Sequence, residues 1–367
     1  MTFGPYVVLE GPDGCGKTTL ADDLMEHIAT AQLVHWGPPN KLAYEQWIQA
    51  AVEQQGPVIF DRLHLGSIAY GKAFRGMFDV TDHENWLVEG FMMSRGLTIV
   101  HTDIPREVQD ANIAKNPDPN AATRVFEDAA KRDEVKQLYT DYFANRLEVK
   151  SNCLPVPYDF TRLGDEDVRK VIPEHVRREL TARNTPFLRQ VIGLGNPLTA
   201  RRVLVGDELH GVTKARARAK RFCSTDEEET RFMQYAKSLA GPLAYTTFPG
   251  NGSGRYLHMC FRMAGFHLED TFVMNARTWE GSQLIDGWAQ FMEGKDVVAL
   301  GNNAARELSM TETGGHWRQI PFRKVPHPQW WRRFRYSEQS TYAKLLRGDI
   351  QWAGSMETER PTALLER

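Results

Sequence analysis

Residues 11–18 read Gly11-Pro12-Asp13-Gly14-Cys15-Gly16-Lys17-Thr18 and fit the pattern G-x-x-x-x-G-K-[ST] at every position. Residues 6–9 before them read as a short buried strand, and residues 19–29 read as a helix with apolar side chains four apart on one face. A strand, a glycine loop and a helix start in this order predict an anion site. The glycines let backbone N–H groups wrap a phosphate, and the helix dipole adds positive charge.

The residue types inside the loop indicate a nucleoside triphosphate together with a magnesium ion. The Lys17 side chain has the reach to contact the β- and γ-phosphates, and the Thr18 hydroxyl is a ligand that Mg²⁺ accepts. The other predicted phosphate-binding residues are Gly11, Gly14 and Gly16 of the loop and Thr19 directly after it. The competing interpretation is an ordinary glycine turn of an α/β protein, which the flanking strand and helix disfavour. We therefore expect ATP and Mg²⁺ as cofactors.

Length and composition place the chain among soluble globular proteins. Its 367 residues suffice for two or three domains, and its 41% hydrophobic and 25% charged residues are ordinary for that class. A net charge of −2 excludes a global field that attracts nucleic acid, so any nucleic-acid surface has to be local. No segment predicts a signal peptide or a membrane span, and a phosphate loop indicates a reducing compartment. We expect a cytoplasmic protein without disulfides and without a membrane partner.

Strand-like and helical segments alternate in the first half, which predicts an α/β fold with a parallel sheet. Five segments there read as strands, at residues 6–10, 32–36, 57–61, 97–102 and 154–159. A last helical region at residues 164–180 contains Pro173, which we expect to kink or split it. The polar, proline-containing stretch at residues 183–186 is the predicted boundary of this half.

A second alternating series follows and predicts another, smaller α/β domain. Its strand-like segments lie at residues 202–206, 271–275 and 296–300, and its helical ones at residues 227–240, 254–264 and 283–293. The residues after 336 have only a weak pattern. We therefore divide the chain into domains at residues 1–183 and 187–340, followed by a C-terminal tail at residues 341–367.

Four charged side chains close to the loop are candidates for contacting the molecule that receives the phosphate. Glu10 precedes the loop and Asp13 lies within it, where a carboxylate can orient or deprotonate a hydroxyl group. Asp61 and Arg62 end the third predicted strand, at the ligand crevice of an open α/β sheet. There Asp61 can serve Mg²⁺, and Arg62 can bind a phosphate through two parallel hydrogen bonds. The structural alternatives are a loop carboxylate for Asp13 and a strand-end ion pair for Asp61 with Arg62.

Further candidates lie on predicted helices. Tyr70 and Arg75 can line an acceptor pocket, although aromatic residues on helices more often belong to a core. Residues 121–142 are strongly charged, and Arg124 and Arg132 are candidates for a lid that neutralises the transferred phosphoryl group. A charged run of this kind is more often a solvated helix face.

Two segments carry a resemblance to a known family. Residues 10–19 read E-G-P-D-G-C-G-K-T-T, and residues 60–70 read F-D-R-L-H-L-G-S-I-A-Y. Together they resemble thymidylate kinase and its deoxynucleoside-kinase relatives. The resemblance implies a P-loop kinase that transfers the ATP γ-phosphate to a deoxypyrimidine nucleotide. It also implies that the loop acid Asp13 serves the sugar or metal, that Asp61 and Arg62 serve the acceptor phosphate, and that the protein forms a homodimer.

A second acceptor stays open at this point. The chain is also similar to P-loop kinases of bacteriophages that phosphorylate hydroxymethylated pyrimidines within DNA. Residues 35–39 read H-W-G-P-P, which is not a usual thymidylate kinase sequence. That departure favours keeping a modified base in DNA as the alternative acceptor, in which case the compartment is the cytoplasm of the phage's host.

The second half carries five short motifs in a fixed order. Residues 205–208 close a strand with two carboxylates, residues 248–254 form a glycine loop, and residues 273–276, 298–304 and 324–328 end strands with an asparagine, a glycine and a histidine. This order resembles the uracil-DNA glycosylase superfamily. The resemblance implies that Asp207 orients water or stabilises a sugar cation, that Asn275 reads a base edge, and that His327 stabilises the departing base. Basic and aromatic residues at positions 330–335 are candidates for contacting a DNA strand.

Three functions are compatible with these motifs. The first is a kinase of free deoxypyrimidine nucleotides, with a second domain that binds a base or DNA. The second is a kinase of a hydroxymethylated pyrimidine within DNA. The third is a DNA glycosylase or base-binding protein with an accessory ATP site, which the complete Lys17-Thr18 pair disfavours.

Overall fold

The structure of the protein is a computed structural model, which describes residues 3–35, 44–76, 80–115, 129–148, 156–158, 166–248, 252–284, 286–310 and 320–352. The chain divides into two compact units, Met1–Asn184 and Thr185–Arg367. Each unit has a sheet of its own. The two units are nearly equal in length, so the expectation of a smaller second domain is wrong.

A five-stranded parallel sheet forms the centre of the first unit. Its strands are β1 (Phe3–Glu10), β2 (Gln32–His35), β3 (Gly56–Asp61), β4 (Leu97–Thr102) and β5 (Val156–Tyr158). They are hydrogen-bonded in the order β2-β3-β1-β4-β5, and each neighbouring pair is parallel. The α/β class and the parallel sheet predicted from the alternating pattern are thereby confirmed for this half.

Seven helices of the first unit lie in the described residues. They are α1 (Lys17–His27), α2 (Tyr44–Glu53), α3 (His64–Arg75), α4 (Asp82–Ser94), α5 (Arg106–Lys115), α6 (Ala129–Glu148) and α7 (Glu166–Ala182). The predicted apolar face of α1 is confirmed, because Leu20 and Leu24 are fully buried. They form one cluster with sheet residues that include Val7, Ile59 and Val100.

Helix α7 is continuous through Pro173, so of the two predicted outcomes, a kink or a split, the split does not occur. A proline inside a helix costs about 3 kcal/mol because its N–H is missing and its ring crowds the preceding turn. Val168, Ile172 and Val176 of α7 are buried in the same cluster as α1. Each such side chain contributes about 1.5–3 kcal/mol when fully buried, so packing against the unit outweighs the proline.

The register of the sheet decides where polar side chains meet. The carboxyl ends of β1, β3 and β4 lie side by side, with Leu9 opposite Asp61 and Glu10 opposite His101. The glycine loop leaves the sheet at this edge and leads into α1. The sheet therefore brings Asp61 next to the loop although 43 residues separate it from Thr18.

The second unit contains a sheet of six strands. They are β6 (Gly193–Leu194), β7 (Arg202–Glu208), β8 (Thr271–Thr278), β9 (Gly281–Ser282), β10 (Asp296–Leu300) and β11 (Phe322–Val325). The main path is β11-β10-β7-β8-β6, with β9 paired to β8. The four longer strands β7, β8, β10 and β11 are parallel, and the two-residue strands β6 and β9 are antiparallel to β8.

Eight α-helices accompany this sheet in the described residues. They are α8 (Pro186–Gln190), α9 (His210–Phe222), α10 (Asp226–Ala240), α11 (Gly252–Met263), α12 (Trp288–Met292), α13 (Asn302–Met310), α14 (Pro328–Phe334) and α15 (Gln339–Arg347). A second α/β unit was predicted and is observed. Its likeness to uracil-DNA glycosylases stays a prediction.

Several elements of the second unit differ from the sequence-based expectations. Helix α9 was not predicted, and the helix expected at residues 283–293 is only the short α12. The expected tail begins within α15, where Tyr342, Leu345 and Leu346 are at most 2% exposed. Residues 341–347 therefore belong to the packed unit, because these apolar side chains recur at helical spacing and bury together. No helix in the described part of the chain combines the length and apolar character that a membrane crossing requires.

Candidate functional site

The glycine loop follows β1 with a backbone that its residue types allow. Gly11 has a φ of 152°, and a Cβ there would lie 2.3 Å from the carbonyl oxygen of Thr102. Only glycine therefore fits where the loop crosses the end of β4. Thr19 lies exposed in the first turn of α1. The first N–H groups of a helix have no partner within it, so this end of α1 is suited to an anion.

Helix α5 holds the loop from outside, a contribution that the sequence motif did not indicate. The Gln109 amide donates to the carbonyl oxygen of Asp13 at 2.7 Å, and the Asn112 amide donates to that of Gly14 at 2.9 Å. Two loop carbonyl groups are thereby tied to α5. Fixing carbonyl groups on this side pre-organises the loop for a ligand that needs N–H donors.

Lys17 is the buried cation of the loop, with only 4% of its surface exposed. Its ammonium group donates to the carbonyl oxygens of Gly11 at 2.8 Å and Pro12 at 2.6 Å. Both acceptors are uncharged, and burial lowers the pKa of Lys17 below its ordinary value. An anion bound beside this ammonium group would compensate for its lost hydration, which is the electrostatic condition for phosphate binding.

Asp61 and Thr18, the two predicted magnesium ligands, lie in contact. The Thr18 hydroxyl donates to Asp61 Oδ2 at 3.0 Å, and His35 Nδ1 lies 3.1 Å from the same oxygen. The other carboxylate oxygen, Oδ1, is buried and has no hydrogen-bond partner among the described residues. An unpartnered carboxylate oxygen beside a threonine hydroxyl fits a hard cation such as Mg²⁺.

The protein ligands for such a cation are few. No group of three or more histidine, cysteine, aspartate or glutamate side chains within the described ranges is arranged to hold a metal ion. Mg²⁺ at Thr18 and Asp61 would take its remaining ligands from phosphates and water, as it does in sites with one or two carboxylates. The residues present thus fit ATP and Mg²⁺ bound together.

Three predicted acceptor residues form a second cluster at the loop. The Arg62 guanidinium group forms an ion pair with Asp13, and the Tyr70 hydroxyl donates to Asp13 Oδ2 at 2.8 Å. Arg62 has a φ of 73°, which is uncommon for a residue with a side chain. A strained arginine held by a loop carboxylate at the end of β3 is typical of a functional position.

Arg132 of α6 lies near this cluster. It lines a narrow cavity of about 10 Å³ together with Asp13, Tyr70 and Phe74, and it forms an ion pair with Asp110 at 3.2 Å. One predicted lid arginine is therefore close to the loop. The other, Arg124, lies outside the described residues, as do residues 36–39 of the unusual segment after β2.

Two further predicted residues, Glu10 and Arg75, lie outside this cluster. Glu10 is fully buried, and its Oε1 accepts hydrogen bonds from the backbone N–H groups of Leu63 at 2.9 Å and Leu65 at 3.1 Å. It thereby satisfies backbone donors at the start of α3, and a role toward the acceptor stays a prediction. Arg75 is exposed at the last position of α3 and does not line the cavity beside Tyr70.

The three predicted residues of the second unit line one pocket of about 1010 Å³, which we call the second-unit pocket. Asp207 lies on β7 and Asn275 lies on β8. His327 lies just after the end of β11. Gly206 lies under them, where a Cβ would come within 2.3 Å of Asn275 Oδ1 and 2.7 Å of the Phe248 ring. Glycine at this position therefore lets the amide and the ring approach the strand closely.

The His327 imidazole is neutral, and one of its two nitrogen atoms already has a hydrogen-bond partner. Its Nδ1 accepts a hydrogen bond from the backbone N–H of Gln329 at 3.2 Å, so the proton of the ring lies on Nε2. Burial lowers its pKa to about 4, and Asp207 opposes this shift. At neutral pH the ring thus serves as a hydrogen-bond donor without carrying charge.

Sequence reasoning missed the residues that support this pocket. Phe248 heads the quoted glycine loop and places its ring 6.4 Å from the His327 ring, centroid to centroid. Asn303 of α13 donates to Asp207 Oδ2 at 2.7 Å. Both residues lie inside quoted motifs, but the contact of Asn303 with Asp207 depends on how α13 packs, which the sequence does not show.

Neither the scan against protein-family models nor the search of curated proteins finds a match for this chain. Solved structures with similarity to the N-terminal half are nucleoside- and nucleotide-kinase structures. The YorR protein of Bacillus subtilis, in complex with phosphorylated GDP, is 20% identical with a TM-score of 0.37, over 49% of this chain and 99% of its own.

Two further similar structures are named kinases. Deoxyadenosine kinase from M. mycoides, with the products dCMP and dCDP, is 12% identical with a TM-score of 0.31, over 47% of this chain and 98% of its own. Thymidylate kinase from Candida albicans is 17% identical with a TM-score of 0.32, over 48% of this chain and 92% of its own. Similarity at this level establishes neither an activity nor a substrate for this chain.

Proposed function

We propose that the first unit transfers the γ-phosphoryl group of ATP to a deoxypyrimidine nucleotide. The observation that carries this proposal is the joint arrangement at the loop. Within the described residues, the hydrogen-bond acceptors of buried Lys17 are two neutral carbonyl groups, and Asp61, which pairs with Thr18, keeps one carboxylate oxygen without a hydrogen-bond partner. An anion and a divalent cation are therefore both accommodated within one loop.

The chain's own residues then have separate tasks. Lys17 neutralises charge on the phosphates, and Thr18 with Asp61 would hold a magnesium ion, which would offset negative charge on the transferred group. Arg62 binds the acceptor phosphate, and Asp13 with Tyr70 fixes the direction of its guanidinium group. Arg132 approaches the same place from α6 and adds a second cation.

Transfer of radiolabel from [γ-³²P]ATP tests this proposal with three acceptors: dTMP, hydroxymethyl-dUMP and hydroxymethyluracil-containing DNA. Label on a mononucleotide supports the proposal, and label on DNA alone assigns the alternative acceptor. We expect Lys17→Met to lower the rate about 100-fold or more, as loss of a charge-stabilising group does. Lys170→Met, at an exposed position of α7, is the matched control with an unchanged rate. Absence of transfer to all three acceptors would refute the kinase assignment.

We propose a second function, that the second-unit pocket holds a pyrimidine base. The observation that favours it is the convergence of a ring platform, a side-chain amide and a neutral imidazole donor at Phe248, Asn275 and His327. These groups suit the face, the edge and a carbonyl oxygen of a base. Uracil-DNA glycosylase activity is the catalytic form of this proposal, and base presentation to the kinase is the binding form.

The catalytic form has a balanced chemistry. The bond between the sugar C1′ and the base nitrogen breaks, its electron pair leaves with the base, and His327 Nε2–H stabilises the charge that forms. Asp207 orients a water molecule, which supplies a hydroxyl group to C1′ and a proton to the base. Abasic-site formation in uracil-containing single-stranded DNA, lost in Asp207→Asn, supports it. Retained oligonucleotide binding without cleavage assigns the binding form.

A further inference from the structure

The solvent-facing side of α9 carries a line of three cations, Lys214, Arg218 and Arg221, which we call the α9 stripe. Their spacing of four and three residues places them on one helix face, and all three are exposed. The stripe extends over about 10 Å, at 1.5 Å per residue. The opposite side of the helix is buried through Val212, Ala215 and Ala219.

The stripe differs from the other cations of the same helix. Arg216 forms an ion pair with Glu208 at 3.3 Å. Lys220 lies in a cleft that it shares with Asp226 and Glu229 of α10. No ion pair to a carboxylate is found for the α9 stripe within the described ranges. Because the whole chain has a net charge of −2, this is a local excess of positive charge.

The α9 stripe is continuous with the second-unit pocket. Lys214 lines that pocket, as do Asp207 and His327. At its other end the stripe reaches Phe222, which is 68% exposed and whose ring lies 5.4 Å from the Arg221 guanidinium group. Cations in a row with an exposed aromatic ring are typical of surfaces that bind single-stranded nucleic acid by phosphate contacts and base stacking.

We infer that the α9 stripe binds the phosphodiester backbone of a single-stranded polynucleotide, one base of which occupies the second-unit pocket. The inference rests on the proposed base-binding function of that pocket. Three cations in a row can contact successive phosphate groups of one strand. A free mononucleotide has a single phosphate group at the pocket and cannot use Arg218 and Arg221. The stripe therefore favours a base within a strand as the ligand of the second unit.

Fluorescence anisotropy with a fluorescein-labelled 12-nucleotide oligothymidylate tests the inference on the full chain. We expect the triple variant Lys214→Glu, Arg218→Glu, Arg221→Glu to bind at least tenfold more weakly. Its plot of log affinity against log salt should be shallower by about two, at about 0.7 for each phosphate contact to a single strand. Arg201→Glu reverses an exposed cation immediately before β7, at the end of the strand opposite the pocket, and this variant should bind as the unchanged protein does.

A second variant separates failure of the stripe from failure of the pocket. Asn275→Ala should weaken binding without changing the salt slope, because it removes a base contact and no phosphate contact. If the triple variant changes the slope and Asn275→Ala has no effect, the pocket assignment fails and the stripe stands. If the triple variant binds like the unchanged protein, the inference is overturned. Equal displacement of the oligonucleotide by a polyaspartate peptide of the same charge also overturns it.

Discussion

Glu10 shows how a single buried carboxylate can support a site that it does not enter. Its Oε1 accepts from the N–H groups of Leu63 and Leu65, which flank the start of α3 immediately after the strained Arg62. Its Oε2 accepts from the Tyr139 hydroxyl at 3.1 Å. Removing this carboxylate leaves buried donors without an acceptor, and each unsatisfied donor costs about 1–3 kcal/mol of stability.

We expect Glu10→Ala to lower the free energy of unfolding of the first unit by about 3 kcal/mol or more, measured by urea denaturation. Glu10→Gln is the matched control, because its amide oxygen can still accept from Leu63 and Leu65 while its NH₂ faces Tyr139. We expect its effect to stay within about 1 kcal/mol. Equal destabilisation by both variants would contradict the proposed role and would point to the charge of Glu10 instead.

His327 provides a prediction about pH. Burial lowers its pKa to about 4, while an unfolded chain titrates near the ordinary value of about 6.5. Between these pH values the unfolded chain binds a proton that the folded chain does not, so the free energy of unfolding falls as the pH decreases from 6.5 to 4. In His327→Gln we expect this pH dependence to be smaller, by up to about 1.4 kcal/mol per pH unit. A histidine NMR titration that places His327 near 6.5 is the contrary result.

The predictions for the loop residues were more accurate than those for the residues around the loop, and the reason is physical. Lys17 and Thr18 act through a short local pattern whose geometry is fixed by the strand and helix around it. The direction of Glu10 depends on where α3 begins, and the support from Gln109 depends on how α5 packs. Both depend on tertiary packing, which the spacing of residues along the chain does not reveal. The same distinction separates the role of Asp207, inferred from its motif, from the contact of Asn303 with Asp207, which only the structure shows.

At the scale of elements, α10 is stabilised by interactions at its ends more than by the packing of its side chains. None of its residues is buried, and its start is a capping box in which the Thr225 hydroxyl accepts from the Glu228 N–H at 3.2 Å. We expect Thr225→Ala to destabilise the helix by about 1 kcal/mol, which speeds amide hydrogen exchange at residues 226–240 about fivefold.

The control lies on the same helix. Thr230 donates to the carbonyl oxygen of Asp226 at 2.8 Å, a bond inside the helix that caps nothing. Since alanine has the higher helix propensity, Thr230→Ala should leave exchange unchanged or slow it. Faster exchange in Thr230→Ala than in Thr225→Ala would show that the capping box is not what holds the helix.

Elements with a strong periodic pattern were the predictable ones. The strand predicted at residues 97–102 and that at residues 296–300 have the observed bounds of β4 and β10, because both are short apolar runs between polar residues. Helix α9 was missed because alternating alanines and cations give it little apolar contrast, and only Val212, Ala215 and Ala219 reveal its inner face. Pro173 does not split α7, since packing outweighs the local cost of a proline.

At the scale of the whole molecule, the boundary between the units is sharp. Arg183 donates to the carbonyl oxygen of Ser94 at 2.6 Å, within the first unit. Thr185 accepts from the Leu188 N–H at 3.2 Å and thereby caps α8, within the second. Adjacent stretches of chain are thus tied to different cores. The predicted boundary at residues 183–186 coincides with this change because a proline and polar residues mark it in the sequence.

Two fragments cut at this boundary, residues 1–184 and 185–367, should each fold, because each carries its own sheet and buried core. We expect each to unfold cooperatively in urea. ATP with Mg²⁺ should stabilise only the first fragment, by about 2.7 kcal/mol at a hundredfold excess over the dissociation constant. The Lys17→Met form of that fragment should show no such gain, since the cation that receives the phosphates is gone. Stabilisation of residues 185–367 by ATP would mean that the second unit has a triphosphate site of its own, and the division of tasks between the units would then have to be abandoned.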